Sequence, residues 1–542
     1  MESRMLNSMF SRRQFLKGIG SAGLAAIIQN CTSLPSSPEN ETRSSEESVT
    51  PEATLSAATF PPVATLQDPR GPFLPFLQFN HRNIKTNGPN FIVVMCDTLR
   101  YDHIGYYGNA QVSTPNIDTF ANQSVVFDRV YAGSFPTVPN RADIFTGRYV
   151  FAYMGWEDLP QDEVVLAKVL NDAGYTTALI FDTMHLKEPF SLDREFKSWQ
   201  WIRGQEDDRY RTVPLQPELP ASADKFRYGT QVVSQYLRNV SNRVSDADYL
   251  VARTIKAAIA WLEENYGQNK FFLHIDSFDP HEPWDPPQHY IDLYNPDYVG
   301  QQVIYPAYAP ATYLSDNELH HVKALYAAEV TMVDHWLGEL FTALESLGAL
   351  EDTHVILTSD HGILIGEHGY MGKSWDHKGH YESYPFYQEL AHLPLMVHAP
   401  NIPHHRVTHL VQPADIMPTI LDWAQISLPK RVQGKSLTPL ISDVEGTLVT
   451  SFRDCVVTAK SLKTALSTNP NLLVTDGDWT YIYGGGHTSS ALYYLPDDPQ
   501  QMNNVLYEHR VVACDLHKKL VAFLESIGTA EEYLAPWRYS PC

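Results

Sequence analysis

The stretch Tyr131–Arg148, YAGSFPTVPNRADIFTGR, decides how the rest of the chain is read. Thr137 stands four residues before Arg141, and Pro139 between them stiffens the turn. The residues after Pro139 read as the start of a helix capped by Asn140. A hydroxyl and a cation are thus expected near the positive end of a helix, which suits a tetrahedral anion such as sulfate or phosphate. Read alone, the stretch is a polar loop entering a helix; its surroundings give it meaning.

Upstream, Asn90–Met95 (NFIVVM) is a short, apolar, β-branched run, read as a buried parallel strand with Asp97 just past its end. Cys96 beside it reads as small core filler. Downstream the pattern repeats. Tyr175–Phe181 (YTTALIF) is followed by His185. Lys270–Ile275 (KFFLHI) runs into Asp276-Ser277-Phe278-Asp279, and His281 sits between Pro280 and Pro283. His354–Thr358 (HVILT) runs into Ser359-Asp360-His361-Gly362. Helical stretches are expected at Glu163–Ala173, Tyr249–Asn265 and Leu319–Leu347. Buried strands alternating with helices predict an α/β fold with a mostly parallel central sheet. In such sheets ligands bind beyond the carboxyl ends of the strands. Asp97, Asp360 and His361, all at such ends, form a candidate hard-metal site of two carboxylates and an imidazole. His281 can protonate a leaving oxygen, and Lys373 can neutralise an oxyanion. Residues 374–386 (SWDHKGHYESYPF) look inserted and carry a second lysine, Lys378, and His380. Residues 200–250 are polar and irregular and read as an insertion over the site.

The order of these motifs resembles the sulfatase family of the alkaline phosphatase superfamily. The segments that carry the resemblance are NFIVVMCDTLRYDHIGYYG, STPNIDTFANQSVVFDRVYA, TVPNRADIFTGR, AGYTTALIFDTMHL, FFLHIDSFDPHEPWDPP, TSDHGILIGEHGYMGK, LPLMVHAP and VQPADIMPTILDWAQI, spanning residues 90–430. The resemblance implies an alkaline phosphatase-like three-layer sandwich over 75–440, with a smaller C-terminal α/β subdomain over 441–542. It implies that Asp97, Asp360 and His361 bind one divalent metal, calcium first and manganese or zinc next, with Thr137 completing the site. Thr137 would be the nucleophile, Arg141 would hold it and the charged group, His281 would be the leaving-group acid, and Lys373 would contact substrate oxygens. His185 matches the second catalytic histidine; a lysine common two residues earlier in relatives is Thr183 here. Two departures stand out. Most sulfatases carry Cys or Ser at the Thr137 position, oxidised to formylglycine; a threonine's secondary alcohol would give a ketone, so an unmodified alkoxide is expected. The usual second metal aspartate is Thr98.

The chain has 542 residues, 43% of them hydrophobic, enough for a large core. A formal net charge of −23 argues against a nucleic-acid surface, while an anionic substrate needs only local positive charge. Residues 1–31 resemble a twin-arginine export signal: Arg12 and Arg13 precede the apolar run Gly18–Ile28. That run is too short to span a bilayer, which takes roughly 20 residues. Cys31 stands where a lipid-anchored cysteine would, after Gln29-Asn30, a poor match to a lipobox. Residues 32–74 are a Ser/Thr/Pro/Glu linker, and the folded body is expected to begin near Pro75. Asp476-Gly477 marks a hairpin, and Val511–Ile527 a closing helix. A disulfide among Cys455, Cys514 and Cys542 is open. The expected function is an exported, metal-dependent hydrolase of sulfate or phosphate and phosphonate esters of a small molecule or glycan. The rival readings are a transferase of phospho-alcohol groups to cell-envelope acceptors and an inactive glycan-binding homologue.

Overall fold

The structure, a computed structural model, describes residues 88–187, 189–212, 216–377, 380–463, 472–483 and 490–539. The export signal, Cys31, the linker, the start near Pro75 and Lys378 lie outside the described residues. In chain order the strands are β1 (Asn90–Cys96), β2 (Val125–Tyr131), β3 (Thr176–Phe181), β4 (Ser198–Trp201) and β5 (Phe271–Ser277). There follow β6 (Tyr308–Pro310), β7 (Thr353–Thr358), β8 (Leu364–Ile365), β9 (Tyr370–His377), β10 (His380–Ser383), β11 (His392–His398) and β12 (His405–Val411). Last come β13 (Val456–Ala459), β14 (Leu472–Thr475), β15 (Trp479–Tyr483) and β16 (Ala491–Tyr494).

Eight of them form the central sheet in the order β12-β2-β11-β7-β1-β5-β3-β4. Every neighbouring pair is parallel except the two made by β11, which is antiparallel to both β2 and β7. The sheet is therefore mostly parallel, as the buried apolar runs require. The alternation of β1 shows the layers. Ile92, Val94 and Cys96 join one apolar core with Ile255, Ala258 and Leu325 of two helices. Phe91, Val93 and Met95 join the other with Val138, Leu166 and Ile420. Successive strand side chains point to opposite faces, so both faces of the sheet are covered by helices. The longest helix, Asp316–Ser346, begins with a reciprocal Ser315–Glu318 capping box, which satisfies two of its otherwise unpaired N–H groups.

The C-terminal region is a four-stranded antiparallel sheet, β13-β14-β15-β16. The hairpin at Asp476-Gly477 joins β14 to β15 as expected, and the helix Arg510–Ser526 shares a core with this sheet. Cys455 is a buried free thiol, whereas Cys514 is disulfide-bonded. No helix among the described residues is long and apolar enough to cross a membrane.

Two local expectations are corrected. The helix expected to start after Pro139 runs Thr137–Thr146, so Asn140 lies inside its first turn and is not the cap. Pro139 is tolerated there because the first N–H groups of a helix lack intrahelical partners. The segment 200–250 holds an amphipathic helix, Thr230–Asn239, whose Val232, Val233 and Tyr236 are buried; its polar face masked the pattern.

The loop leading into the Thr137 helix is fastened from two sides. Ala459 of β13 donates its N–H to the Gly133 carbonyl and accepts from the Phe135 N–H, each at 3.0 Å. Thr458 Oγ1 donates to the Ala132 carbonyl at 2.5 Å. From within, the buried Asp143 carboxylate accepts from Ser134 N (2.7 Å), Ser134 Oγ (2.6 Å) and Val150 N (2.8 Å). A Cβ on Gly133 would lie 2.4 Å from Asp143 Oδ2, so only glycine fits this close approach. Asp143→Ala leaves those donors buried and unpaired. We expect it to lower unfolding free energy by about 3 kcal/mol, read by chemical denaturation; a change below about 0.5 kcal/mol would contradict this role.

Candidate active site

Five strand ends on one side of the sheet supply the site. Asp97 follows β1; Thr137 opens the helix after β2; His185 follows β3; Asp276 is the penultimate residue of β5, with His281 beyond it; and Asp360-His361 follow β7. Lys373 comes from β9, outside the central sheet.

At the centre Arg141 is fully buried and meets three carboxylates. Its Nε and Nη2 donate to the two oxygens of Asp276 at 2.8 and 2.7 Å. Nη1 donates to Asp360 Oδ2 at 2.6 Å and to the Thr137 carbonyl at 3.2 Å. Nη2 also lies 3.1 Å from Asp97 Oδ2. Burial favours the neutral acids, and the carboxyls answer differently. Burial and the neighbouring Asp360 push Asp97 well up. For Asp360 burial is outweighed by Arg141 and by the hydrogen bond from Thr98 N, which hold it below the usual carboxylate range. Asp276 is likewise held low against burial by Arg141.

Asp97, Asp360 and His361 each present one ligand atom, all within 4.8 Å of one another. His361 Nδ1 lies 3.0 Å from the Gly362 carbonyl, which can only accept, so Nδ1 carries the proton and Nε2 offers a lone pair. Burial pushes the His361 pKa down to about 3, which keeps that ring neutral. Asp97 Oδ2 is buried with the Arg141 ion pair beside it but accepts no hydrogen bond. Two carboxylates, a neutral imidazole and an orphaned buried oxygen fit a divalent cation. Thr98 sits beside them at φ 64°, its N–H on Asp360 Oδ1 (3.0 Å) and its hydroxyl on Asp97 Oδ1 (2.7 Å). It orders both carboxylates. Gly362 passes so close to the Glu389 carbonyl that a Cβ would sit 1.9 Å from its oxygen.

Thr137 Oγ1 lies 3.1 Å from His361 Nε2, against this cluster. Asn140 donates to the Asp360 carbonyl at 2.8 Å, tying the Thr137 helix to the end of β7. Lys373 is buried, and its Nζ donates to His281 Nε2 at 2.8 Å. His281 Nδ1 donates to the Glu282 carbonyl at 2.7 Å, so this ring too is neutral with Nε2 as acceptor. Burial and Lys373 depress the His281 pKa well below its usual value, and burial lowers that of Lys373. His185 stands apart from these hydrogen bonds. Its Nδ1 meets Thr183 Oγ1 at 3.0 Å, its ring packs against Trp156 and Phe278, and burial pushes its pKa down to about 3.

The structure thus brings together Asp97, Thr137, Arg141, His281, Asp360, His361 and Lys373. His185 lies at the margin. Sequence reasoning passed over Asp276, which stands at a strand end like Asp97 and Asp360 and carried the same positional signal. It also passed over Glu282 and Arg227, for which chain position holds no such signal.

The sulfatase family model matches residues 89–426, and a model described as N-sulphoglucosamine sulphohydrolase, C-terminal, matches residues 366–526. An arylsulfatase of Clostridium perfringens is 25% identical over 493 residues, covering 82% of this chain and 96% of that protein. The multifunctional alkaline phosphatase superfamily protein PehA of Trinickia caryophylli is 23% identical over 518 residues, covering 83% and 98%. The crystal structure of a phosphonate monoester hydrolase of Agrobacterium radiobacter superposes with a TM-score of 0.64 at 22% identity, covering 81% of this chain and 96% of that one. With the sulfatase model matching well over half of its length, the chain belongs to the sulfatase family of the alkaline phosphatase superfamily, and its class of activity is ester hydrolysis.

Proposed function

We propose that this protein is an exported, metal-dependent hydrolase that cleaves sulfate, phosphate or phosphonate esters through Thr137, with phosphodiesters and phosphonate esters favoured over sulfates. The observation that carries the reading is Thr137 Oγ1, at the first turn of a helix and 3.1 Å from His361 Nε2 in a buried cluster of Asp97, Asp360 and Arg141. Asp97, Asp360 and His361 would hold a divalent cation, calcium first, manganese or zinc next. When bound, it would ease ionisation of the Thr137 hydroxyl and neutralise the anion of the ester. Export rests on the twin-arginine-like start of the chain, and the phosphorus preference on threonine, whose ketone cannot form the aldehyde hydrate of formylglycine.

Thr137 gives up its proton to solvent as its oxygen attacks sulfur or phosphorus in line, and the bond to the alcohol oxygen breaks with its electron pair passing to that oxygen. Arg141 fixes the start of the nucleophile helix through the Thr137 carbonyl and keeps Asp360 and Asp276 ionised. The proton for the departing oxygen comes from the Lys373–His281 pair. In the resting site that proton is on Lys373 Nζ, because His281 Nε2 is the acceptor between them. Water then cleaves the Thr137 ester and regenerates the hydroxyl. The related C. perfringens arylsulfatase and A. radiobacter phosphonate monoester hydrolase bracket the substrate range by name.

Thr137→Ala is expected to lower kcat/KM by about 1000-fold or more, while Thr137→Ser retains measurable turnover. The panel is an aryl sulfate, phosphate monoester, phosphodiester and phosphonate ester. Turnover unaffected in Thr137→Ala would remove threonine from the nucleophile role, and faster turnover of sulfate than of phosphodiester would reverse the preference. Chelation should abolish activity and lower the unfolding temperature, with calcium, manganese or zinc restoring both; indifference of both readouts to chelator rules out the metal. Activity requires protonated Lys373, whose pKa lies below the usual lysine value of 10.5. Activity should therefore fall as pH rises through a point below 10.5, and Lys373→Met should erase that alkaline limb and cost about 100-fold or more on esters of poorly acidic alcohols. A limb that persists in Lys373→Met assigns it to another group.

A further inference from the structure

We infer that Arg227 recognises a negatively charged substituent on the alcohol portion of the substrate, an inference that rests on the ester-hydrolase reading of the same site. Arg227 belongs to the segment before the Thr230–Asn239 helix and reaches the leaving-group side through Glu282. Glu282 Oε2 lies 3.4 Å from His281 Nδ1, and Glu282 Oε1 lies 3.5 Å from Arg227 Nη1. One carboxylate thus separates the guanidinium from the imidazole that faces the departing oxygen.

Arg227 is poorly consumed by its own protein. The 3.5 Å approach to Glu282 is at the outer limit of a hydrogen bond. Glu282 Oε1 already takes the Tyr308 hydroxyl. Arg227 Nη2 donates to Tyr228 at 2.9 Å, but Nε is buried without an acceptor. A guanidinium offers five N–H donors in one plane, and leaving them unmet inside a protein is costly. The contrast with Arg141 is direct, since Arg141 meets three carboxylates.

Arg227 is also held between two aromatic rings. Its guanidinium carbon lies 3.8 Å from the Tyr308 ring centre and 4.6 Å from that of Tyr228. A guanidinium held between two rings in this way keeps its position, and its fork can match a carboxylate or sulfate in two parallel bonds. The side chain remains 16% accessible and Tyr228 53%, so the cluster opens to solvent. Tyr228 and Glu206 both hold left-handed backbone angles, φ 57° and 43°, in non-glycine residues. Such strain collects at ligand clamps. Glu206 is bound by the Tyr305 hydroxyl at 2.8 Å, and burial raises its pKa to about 7, so it cancels little of the Arg227 charge in mildly acidic solution.

Free alcohols test this without requiring turnover. Phenol and its three carboxylated forms, the 2-, 3- and 4-hydroxybenzoates, are titrated into the full-length protein by calorimetry at pH 6. At least one hydroxybenzoate should bind tenfold or more tightly than phenol. Arg227→Met should remove that advantage while leaving phenol within twofold, and Arg227→Lys should restore part of it. Equal binding of all four probes, or an advantage that survives in a folded Arg227→Met protein, overturns the inference. Should the advantage hold while Thr137→Ala leaves ester turnover unchanged, the nucleophile assignment falls and the anion site stands.

Discussion

One guanidinium holding three carboxylates is the interaction on which the rest of the site depends. Asp97, Asp276 and Asp360 come from the ends of three adjacent strands, β1, β5 and β7, and none could be buried alone. An isolated ion in a protein interior carries a penalty of several kcal/mol. Arg141 outweighs that penalty for Asp276 and Asp360 and lessens it for Asp97, and in doing so sets the distance between strand ends that are far apart in sequence. Its helix begins at Thr137, so the hydroxyl is positioned by the same contact that neutralises the acids.

The polar relay on the other flank is built on a different rule. Lys373 and His281 are both buried and both lean toward their uncharged forms, so the proton that Lys373 Nζ directs at His281 Nε2 is loosely held. Coupled groups of this sort titrate as a pair. Glu282 adds a negative charge next to the pair and Arg227 a positive one beyond it, so the charges alternate outward from the reacting oxygen.

Much of this was legible in the sequence because chemistry at strand ends leaves a mark. An apolar run cut off by Asp97, or by Asp360-His361, is a change of polarity at a point where a parallel sheet exposes its carboxyl edge. Asp276 carried the same mark, yet the nearby His281 between prolines drew the functional reading to itself. A carboxylate neutralised inside the protein is chemically quiet, and nothing local distinguishes it from one that meets substrate. Arg227 and Glu282 are 55 residues apart, and their meeting follows from the path of an irregular segment that periodicity does not describe. Asn140 was misplaced because cap residues and inward-facing amides share one composition. The fastening of Gly133 and Phe135 to Ala459 has no sequence signature, since backbone groups make it.

That fastening bears on how the protein comes into being. The loop before Thr137 is completed by a strand more than three hundred residues later, so a nascent chain still emerging from the ribosome has Asp97, Asp276, Asp360 and the threonine long before it has the strand that fastens the loop. Catalytic competence is then a property of the finished polypeptide. A chain released early, or clipped ahead of β13, would keep the chemical groups and lose the geometry.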